Sequence, residues 1–402
     1  MTDIARTMVR TQAAPQTPGL PLSSSLLIGV IGFLTLVDLF ATQAILPSLA
    51  ISYGVSASQI GVAANASTLG MAVAGLLVGA FSANVERKRV IGLSLLVLSV
   101  PTALLAFAPN LTIFAVLRVV QGLFMASAFT LTLTHLAERC ERRTATALAA
   151  YVTGVVASNL IGRLTAAFVA SLVGAGSSFL FFACLNVAGA ALIAVSLTRN
   201  APEPMASNAR FWSAWVAHLA NPALRRSFAI GFLILFGFIG VFTYVGFVLS
   251  QPPHGLSMRA LGLVFLVFLP SMVTTPMAGS VSRRVGPGVA LPASLVLALA
   301  GLVLMLFPSL ASIIAGMVLV GVGTFFAQAI ATGHVGRIAM HDKAAASGLY
   351  LSAYYCGGLV GAAVIGQLFD RFGWPVAIGG VFVALGAAAL FGLRMGGPEA
   401  KR

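Results

Sequence analysis

Long apolar stretches, each ended by a short polar break, repeat along the whole chain. A stretch of about 20 apolar residues is long enough to cross a bilayer as an α-helix. The pattern therefore predicts an all-α membrane protein with twelve transmembrane helices. These predicted spans 1 to 12 cover residues 25–46, 57–81, 89–108, 111–134, 144–170, 178–198, 227–250, 258–281, 287–307, 310–333, 344–368 and 374–393.

Lysine and arginine are unevenly distributed over the breaks between the spans. Of the 23 basic residues, nineteen lie in the two termini and in alternate breaks, two lie in the opposite breaks and two lie within spans. Because basic residues stay on the cytoplasmic side, this asymmetry predicts that both termini are cytoplasmic. We expect a multi-pass protein of the bacterial inner membrane. Span 1 is too long for a signal peptide, and no small-residue cleavage site follows it.

Composition supports lipid as the solvent of this chain. Hydrophobic residues make up 59% of it and charged residues only 8%, whereas about a quarter of a soluble domain is charged. The formal net charge of +14 would suggest a nucleic-acid partner for a soluble protein. Here the charge lies in loops, so we expect the bilayer as partner and no nucleic acid.

No constellation for covalent or metal chemistry is visible in the sequence. The three cysteines lie far apart and match no metal or disulfide pattern. We also find no glycine-rich phosphate loop and no nucleophile with a matching base. The sequence therefore predicts no cofactor, no metal and no enzyme, and any energy must come from a gradient. A non-transporting membrane sensor or scaffold is an alternative from another class, although no sizeable soluble domain supports it.

The second half of the chain repeats the first at an offset of 199 residues. The stretch "AYVTGVVASNLIGR" (150–163) aligns with "LYLSAYYCGGLVGA" (349–362), so that Tyr151 matches Tyr350 and Gly162 matches Gly361. An offset of six spans predicts two six-helix bundles with parallel topology, an arrangement typical of secondary transporters.

The repeat also sets the expected domain boundaries. We predict a cytoplasmic tail (1–24), an N-terminal bundle (25–198), a cytoplasmic linker (199–226), a C-terminal bundle (227–393) and a second cytoplasmic tail (394–402). Within the linker, Phe211, Trp215 and Leu219 share one helical face. This spacing predicts a helix that lies on the membrane interface.

One motif resembles a known family. The residues "RVVQG" (118–122) are similar to the Arg-x-x-Gln-Gly signature in the fourth helix of the major facilitator superfamily. The stretches "ATQAILPSLAISYGVSASQIG" (41–61) and "FTYVGFVL" (242–249) resemble its YnfM-like, arabinose-efflux-permease-like bacterial branch. The resemblance implies alternating access, a central cavity lined by spans 1, 4, 7 and 10, and proton-coupled export. The loop after span 2 departs from the family pattern, because Ala83 stands where an Asp is usual.

Three charged residues lie deep within spans of the N-terminal bundle, namely Asp38, Arg118 and Arg163. At 1.5 Å per residue, each lies about 10–12 Å below the outer end of its span, so the three share one layer. Charged groups inside a membrane are costly and mark ion or substrate paths. One interpretation is a fixed structural bridge with Asp38 between the two arginines. The other is a proton site, because the proton affinity of a carboxylate changes when a neighbouring cation moves away.

The sequence leaves the substrate open. Export of a drug, sugar or metabolite is the first hypothesis, and uptake of a small organic anion is the alternative, because the charged layer sums to +1 with Asp38 ionised. We expect protons and a small-molecule substrate as partners of a monomeric protein. Polar candidates for the substrate cavity are Gln43, Gln121, Asn159, Tyr244, Gln328 and Tyr354. Small residues at every fourth position predict close helix packing, and the glycines concerned are Gly154, Gly162, Gly357 and Gly361.

Overall fold

The computed structural model describes residues 22–81, 86–139, 144–197, 208–339 and 342–396. Every regular element in these ranges is helical. Most of the expected N-terminal tail, Ala83 in the loop after span 2, and the last residues of the expected C-terminal tail lie outside them.

The described residues contain twelve helical spans, which confirms the predicted number. Their observed bounds are Ser23–Tyr53, Ala57–Val78, Arg87–Phe107, Leu111–Leu136, Thr146–Val173, Ala175–Ser196, Pro222–Ser250, Met258–Val285, Pro287–Leu304, Leu310–Ile338, Lys343–Phe372 and Trp374–Leu393. Spans 1 to 6 form one bundle and spans 7 to 12 the other. The fold is thus all-α with two six-helix halves, here called the N-half and the C-half.

Span 1 is longer than its apolar pattern predicts. We expected it to end near Pro47, but it passes through a 3₁₀ turn at Thr42–Ile45 and continues as an α-helix to Tyr53. Pro47 lies in the first turn of this last segment, where its missing N–H leaves no helical bond unmade. The segment ends at Gly54, whose φ of +62° favours glycine. The proline therefore starts a helical segment here instead of ending one.

The two halves repeat one packing contact. Span 1 packs along span 5, and span 7 packs along span 11. A Cβ on Gly154 would collide with the backbone of Gly29, and one on Gly357 would collide with the backbone of Phe232. Lipid gives helices no hydrophobic reason to associate, so such close backbone approach provides the contact instead.

The other two glycines of this set lie one or two turns further along the same contacts. A Cβ on Gly162 would lie 3.0 Å from the carbonyl oxygen of Val37. A Cβ on Gly361 would collide with the backbone of Phe236. All four glycines therefore face a neighbouring helix of their own half.

The halves meet through span 2 against span 11 and through span 5 against span 8. We call the end that carries the joins at 54–56, 251–257 and 373 the outer end, since it is the one predicted to face outside. At this end Asp370 accepts a hydrogen bond from the backbone N–H of Ser58 at 3.2 Å, and Arg259 donates to Ser171 at 2.9 Å. Gly262 also packs tightly on Ala167. These contacts close the outer end between the halves, apart from a cleft of about 1040 Å³ that both halves line at the surface.

A helix at Asn208–Ala220 lies in the linker between the two halves. Its His218 side chain contacts the carbonyl oxygen of Asp342 at 3.2 Å, next to the start of span 11. Val216 and Leu219 are exposed, whereas Trp215 packs against the core. The position of this helix on the membrane interface stays a prediction.

Candidate functional site

Asp38 lies within a cluster of buried polar side chains inside the N-half. Its side chain is 4% exposed, and Oδ2 accepts a hydrogen bond from the amide of Asn186 at 2.7 Å. The same amide donates to Thr102 at 3.3 Å, and Thr102 also accepts from Gln121 at 2.7 Å. Asp38 and Gln121 line a pocket with space for about one water molecule. The cluster thus joins spans 1, 3, 4 and 6 through side chains.

Arg118 completes this cluster through its guanidinium group. A guanidinium has five N–H donors, and Arg118 uses them on five acceptors. They are the carbonyl oxygens of Asp38 (3.2 Å), Leu39 (3.1 Å) and Ala64 (2.7 Å), the Ser67 hydroxyl (3.0 Å) and the Gln121 amide oxygen (2.7 Å). Its bonds to span 1 lie at Asp38 and Leu39, just before the 3₁₀ turn. Arg118 therefore holds span 4 against spans 1 and 2, next to the point where span 1 changes from an α-helix to a 3₁₀ turn.

The side chains around Asp38 are arranged differently from a bridge between two arginines, which was one of the two interpretations of the sequence. Among the described residues, the Asp38 carboxylate is hydrogen-bonded to Asn186 and is ion-paired with neither arginine. Arg118 binds the backbone carbonyl of Asp38 instead of its carboxylate. Arg163 contacts no group of this cluster. A shared depth places residues in one layer, but it does not determine which way each side chain points.

Arg163 forms a separate polar group that faces the C-half. Its guanidinium donates to the side-chain oxygens of Asn159 and Gln43, and the side chain is fully buried. Gln43 and its neighbour Asn65 approach Thr243 of span 7, with the Asn65 amide donating to the Thr243 hydroxyl at 3.1 Å. Five phenylalanine rings surround the guanidinium. Their centroids lie 4.7–6.0 Å from its central carbon, and the rings are those of Phe40, Phe238, Phe242, Phe265 and Phe268.

The six polar cavity candidates do not gather in one cavity. Gln121 belongs to the Asp38 cluster, and Gln43 and Asn159 hold Arg163, as just described. In the C-half, Tyr244 donates to the carbonyl oxygen of Ala362. Its hydroxyl also fills the space between Gly61 and Gly366.

The last two candidates lie close to each other in the C-half. Gln328 accepts a hydrogen bond from Tyr350 at 2.8 Å. Tyr354 is stacked on Tyr350 with a centroid distance of 6.3 Å. The structure therefore brings Gln328 and Tyr354 together at Tyr350 in the C-half. Tyr244 instead packs between helices.

Sequence reasoning did not select Asn186, Thr102 or Asn65. Each is a polar residue within an apolar span, and such residues commonly bond to a neighbouring helix. No motif distinguishes Asn186 and Thr102 from the other serines, threonines and asparagines within spans. Only the fold shows that Asn186 bonds to Asp38 and that Thr102 bonds to Asn186.

Twelve spans in two repeated halves are typical of a multi-pass membrane transporter, and the family and relatives of this chain identify it as a transporter of the inner membrane and not an enzyme. The chain belongs to the Major Facilitator Superfamily, whose family model matches residues 28–339 and 254–402.

Relatives and solved structures agree with this membership. The inner membrane transport protein YnfM of Escherichia coli (strain K12) is 28% identical over 88% of this chain and 85% of that protein. The uncharacterized MFS-type transporter YybF of Bacillus subtilis (strain 168) is 26% identical over 87% of each.

Two solved structures share the fold. A bacterial homolog to the human lysosomal transporter Spinster, in an inward-facing and unoccupied conformation, gives a TM-score of 0.77 at 14% identity over 93% of this chain and 96% of that chain. A point mutant of the nucleoside transporter NupG gives 0.75 at 14% identity, over 93% and 100%.

Proposed function

We propose that this transporter exports a small organic molecule in exchange for protons, and that Asp38 is the residue that binds the proton. The observation that carries the proposal is the placement of one carboxylate in a buried polar cluster that joins four spans of the N-half. Intramembrane carboxylates are costly and are typical of proton relays in transporters. The direction of transport, export, is inferred from the resemblance to the YnfM-like branch.

The hydrogen bonds around Asp38 suit both protonation states. The ionised carboxylate accepts from the Asn186 amide, while Oδ1 of Asn186 has no hydrogen-bond partner among the described residues. If the amide turns over, this oxygen accepts a hydrogen bond from a protonated Asp38. Asn186 can therefore form a hydrogen bond with Asp38 in both protonation states, which lowers the free-energy cost of adding or removing the proton.

Arg118 connects the proton site to the helix packing. Its guanidinium reaches Gln121, and Gln121 reaches Thr102, which also contacts the amide that holds Asp38. Movement of span 4 against span 1 would alter this chain of bonds and the distance from Asp38 to the nearest cation. A proton affinity that differs between two conformations is the requirement for coupling.

The test uses Asp38→Asn in the full-length protein. The asparagine oxygen accepts the same bond from Asn186, so this variant imitates the protonated state, and we expect it to fold. The substrate is first identified by a thermal-shift screen of drugs, sugars and organic acids. We then expect Asp38→Asn to bind that substrate, to release no protons on binding, and to lose uphill transport driven by a pH gradient.

The matched control is Asp342→Asn, which makes the same chemical change at the start of span 11. Asp342 caps this helix by accepting from the N–H of Ala345 at 3.1 Å, and asparagine caps helices equally well. This variant should release protons and transport like the wild type. Uphill, pH-driven transport by Asp38→Asn would refute Asp38 as the proton site. Loss of folding in Asp38→Asn would indicate that the carboxylate has a structural role instead.

A further inference from the structure

Arg163 is a buried cation whose stabilising neighbours come from both halves of the transporter. The amide oxygens of Gln43 and Asn159 belong to the N-half, as does Phe40. The other four rings belong to spans 7 and 8 of the C-half. No carboxylate pairs with Arg163 among the described residues, and its Nε has no hydrogen-bond partner there. The faces of the guanidinium are thus covered largely by the opposite half.

The two nearest C-half rings are positioned by a local change in helix type. Span 8 contains a 3₁₀ segment at Phe265–Phe268, and residues three apart in a 3₁₀ helix lie above one another. The rings of Phe265 and Phe268 are accordingly almost parallel, with 5° between their planes. Each centroid lies 4.7 Å from the central carbon of Arg163. The segment presents both rings to the same guanidinium.

This contact lies below the closed outer end. Arg163 is about 15 Å from the outer end of span 5, at 1.5 Å per residue. Above it, Ala167 of the same helix packs on Gly262 of span 8, and Ser171 accepts from the exposed Arg259. Separation of spans 5 and 8 at this end would remove the C-half rings from Arg163. Water would then replace them around the charge.

We propose that Arg163 and its phenylalanine cage form the gate that holds the outer end closed. Here "cage" means Phe40, Phe238, Phe242, Phe265 and Phe268. Four of the five rings of the cage reach the cation only while the halves are together, and a guanidinium shielded from water gains more from an aromatic face than an exposed one does. Arg163 also positions Gln43, which lies against Thr243 of the C-half. This inference requires the transporter fold but neither the proton site nor the direction of transport.

The test measures how far the outer ends of the two halves lie apart. Spin labels are attached at Ile51 and Val376, which are exposed on opposite halves at the outer end, in full-length protein with its cysteines replaced. The protein is reconstituted in lipid nanodiscs, and pulsed electron resonance gives the ratio of open to closed distances. We expect Arg163→Gln to raise that ratio about tenfold or more, as the loss of one desolvated cation–ring contact implies.

Two further variants separate gating from general stability. The double variant Phe265→Leu with Phe268→Leu keeps apolar bulk but removes both stacked rings, so it should shift the ratio in the same direction. Arg259→Gln is the matched control, since it removes another arginine that links span 8 to span 5 but is exposed. Its ratio should change by no more than about twofold, because exposed polar contacts contribute little.

The outcomes decide the proposal. An unchanged ratio in both Arg163→Gln and the double leucine variant overturns it, even if both proteins melt at lower temperature. A shift of Arg163→Gln towards the closed state also overturns it, since the charge would then oppose closure. If Arg163→Gln does not fold, the double leucine variant decides alone.

Discussion

Replacement of Arg118 by lysine tests whether the guanidinium of this residue is structurally required or whether a positive charge suffices. The wild-type side chain places five N–H donors on five acceptors. A lysine ammonium has three donors, so at least two of these acceptors lose their partner. Each buried acceptor left unsatisfied costs about 1–3 kcal/mol, which gives a destabilisation of about 2–6 kcal/mol for Arg118→Lys.

This loss is large compared with the stability of a typical folded protein, which is about 5–15 kcal/mol. The assay is equilibrium unfolding in mixed micelles, followed through tryptophan fluorescence, with thermal melting on size exclusion as a second measure. Arg259→Lys is the control, because Arg259 is exposed, and we expect it to stay within about 0.5 kcal/mol of the wild type.

A stability of Arg118→Lys equal to that of the control would refute the reasoning. It would mean that the five bonds do not determine the packing of span 4 and that charge alone is sufficient. Transport should fall together with stability in the predicted case, since the bonds fix the junction in span 1 next to Asp38.

Two other predictions concern packing and orientation. Gly154→Ala should destabilise the protein by about 1–3 kcal/mol, because the added methyl group collides with the backbone of Gly29, whereas Gly379→Ala, with nothing within 4 Å of its Cβ, should melt like the wild type. Equal melting temperatures would contradict the packing argument. Single cysteines at the exposed positions Ser52 and Lys343 should react with an impermeant maleimide only from outside and only from the cytoplasm, respectively. Labelling of Ser52 from the cytoplasm would reverse the proposed orientation.

The packing glycines show how a sequence pattern can anticipate a contact. Small residues at a fixed helical spacing in span 5 recur one repeat later in span 11, and a membrane helix has few other reasons to carry such a stripe. The pattern does not name the opposing residues. That Gly154 meets Gly29 and Gly357 meets Phe232 depends on how the two helices of each pair are rotated relative to each other.

The charged residues show where the sequence is insufficient. Their depth follows from the rise per residue, and it places all three within spans of the N-half. Their partners depend on rotation and on local helix form, which an apolar span does not encode in its periodicity. The 3₁₀ turn at Thr42–Ile45 lies between Asp38 and the following segment of span 1, and it changes the directions in which the later side chains point. The spacing of a regular helix therefore does not predict which side chains surround Arg163.

The sequence by itself determined the membrane solvent, the twelve spans and the two repeated halves. These properties depend on composition summed over about 20 residues at a time and on the side of the membrane where charge is retained. Only the tertiary structure decided that Asp38 bonds to Asn186, that Arg118 binds backbone carbonyls, and that phenylalanines of the C-half cover Arg163. Each of these contacts joins residues far apart in the chain. Such contacts exist only when the helices pack at particular rotations, so local sequence does not specify them.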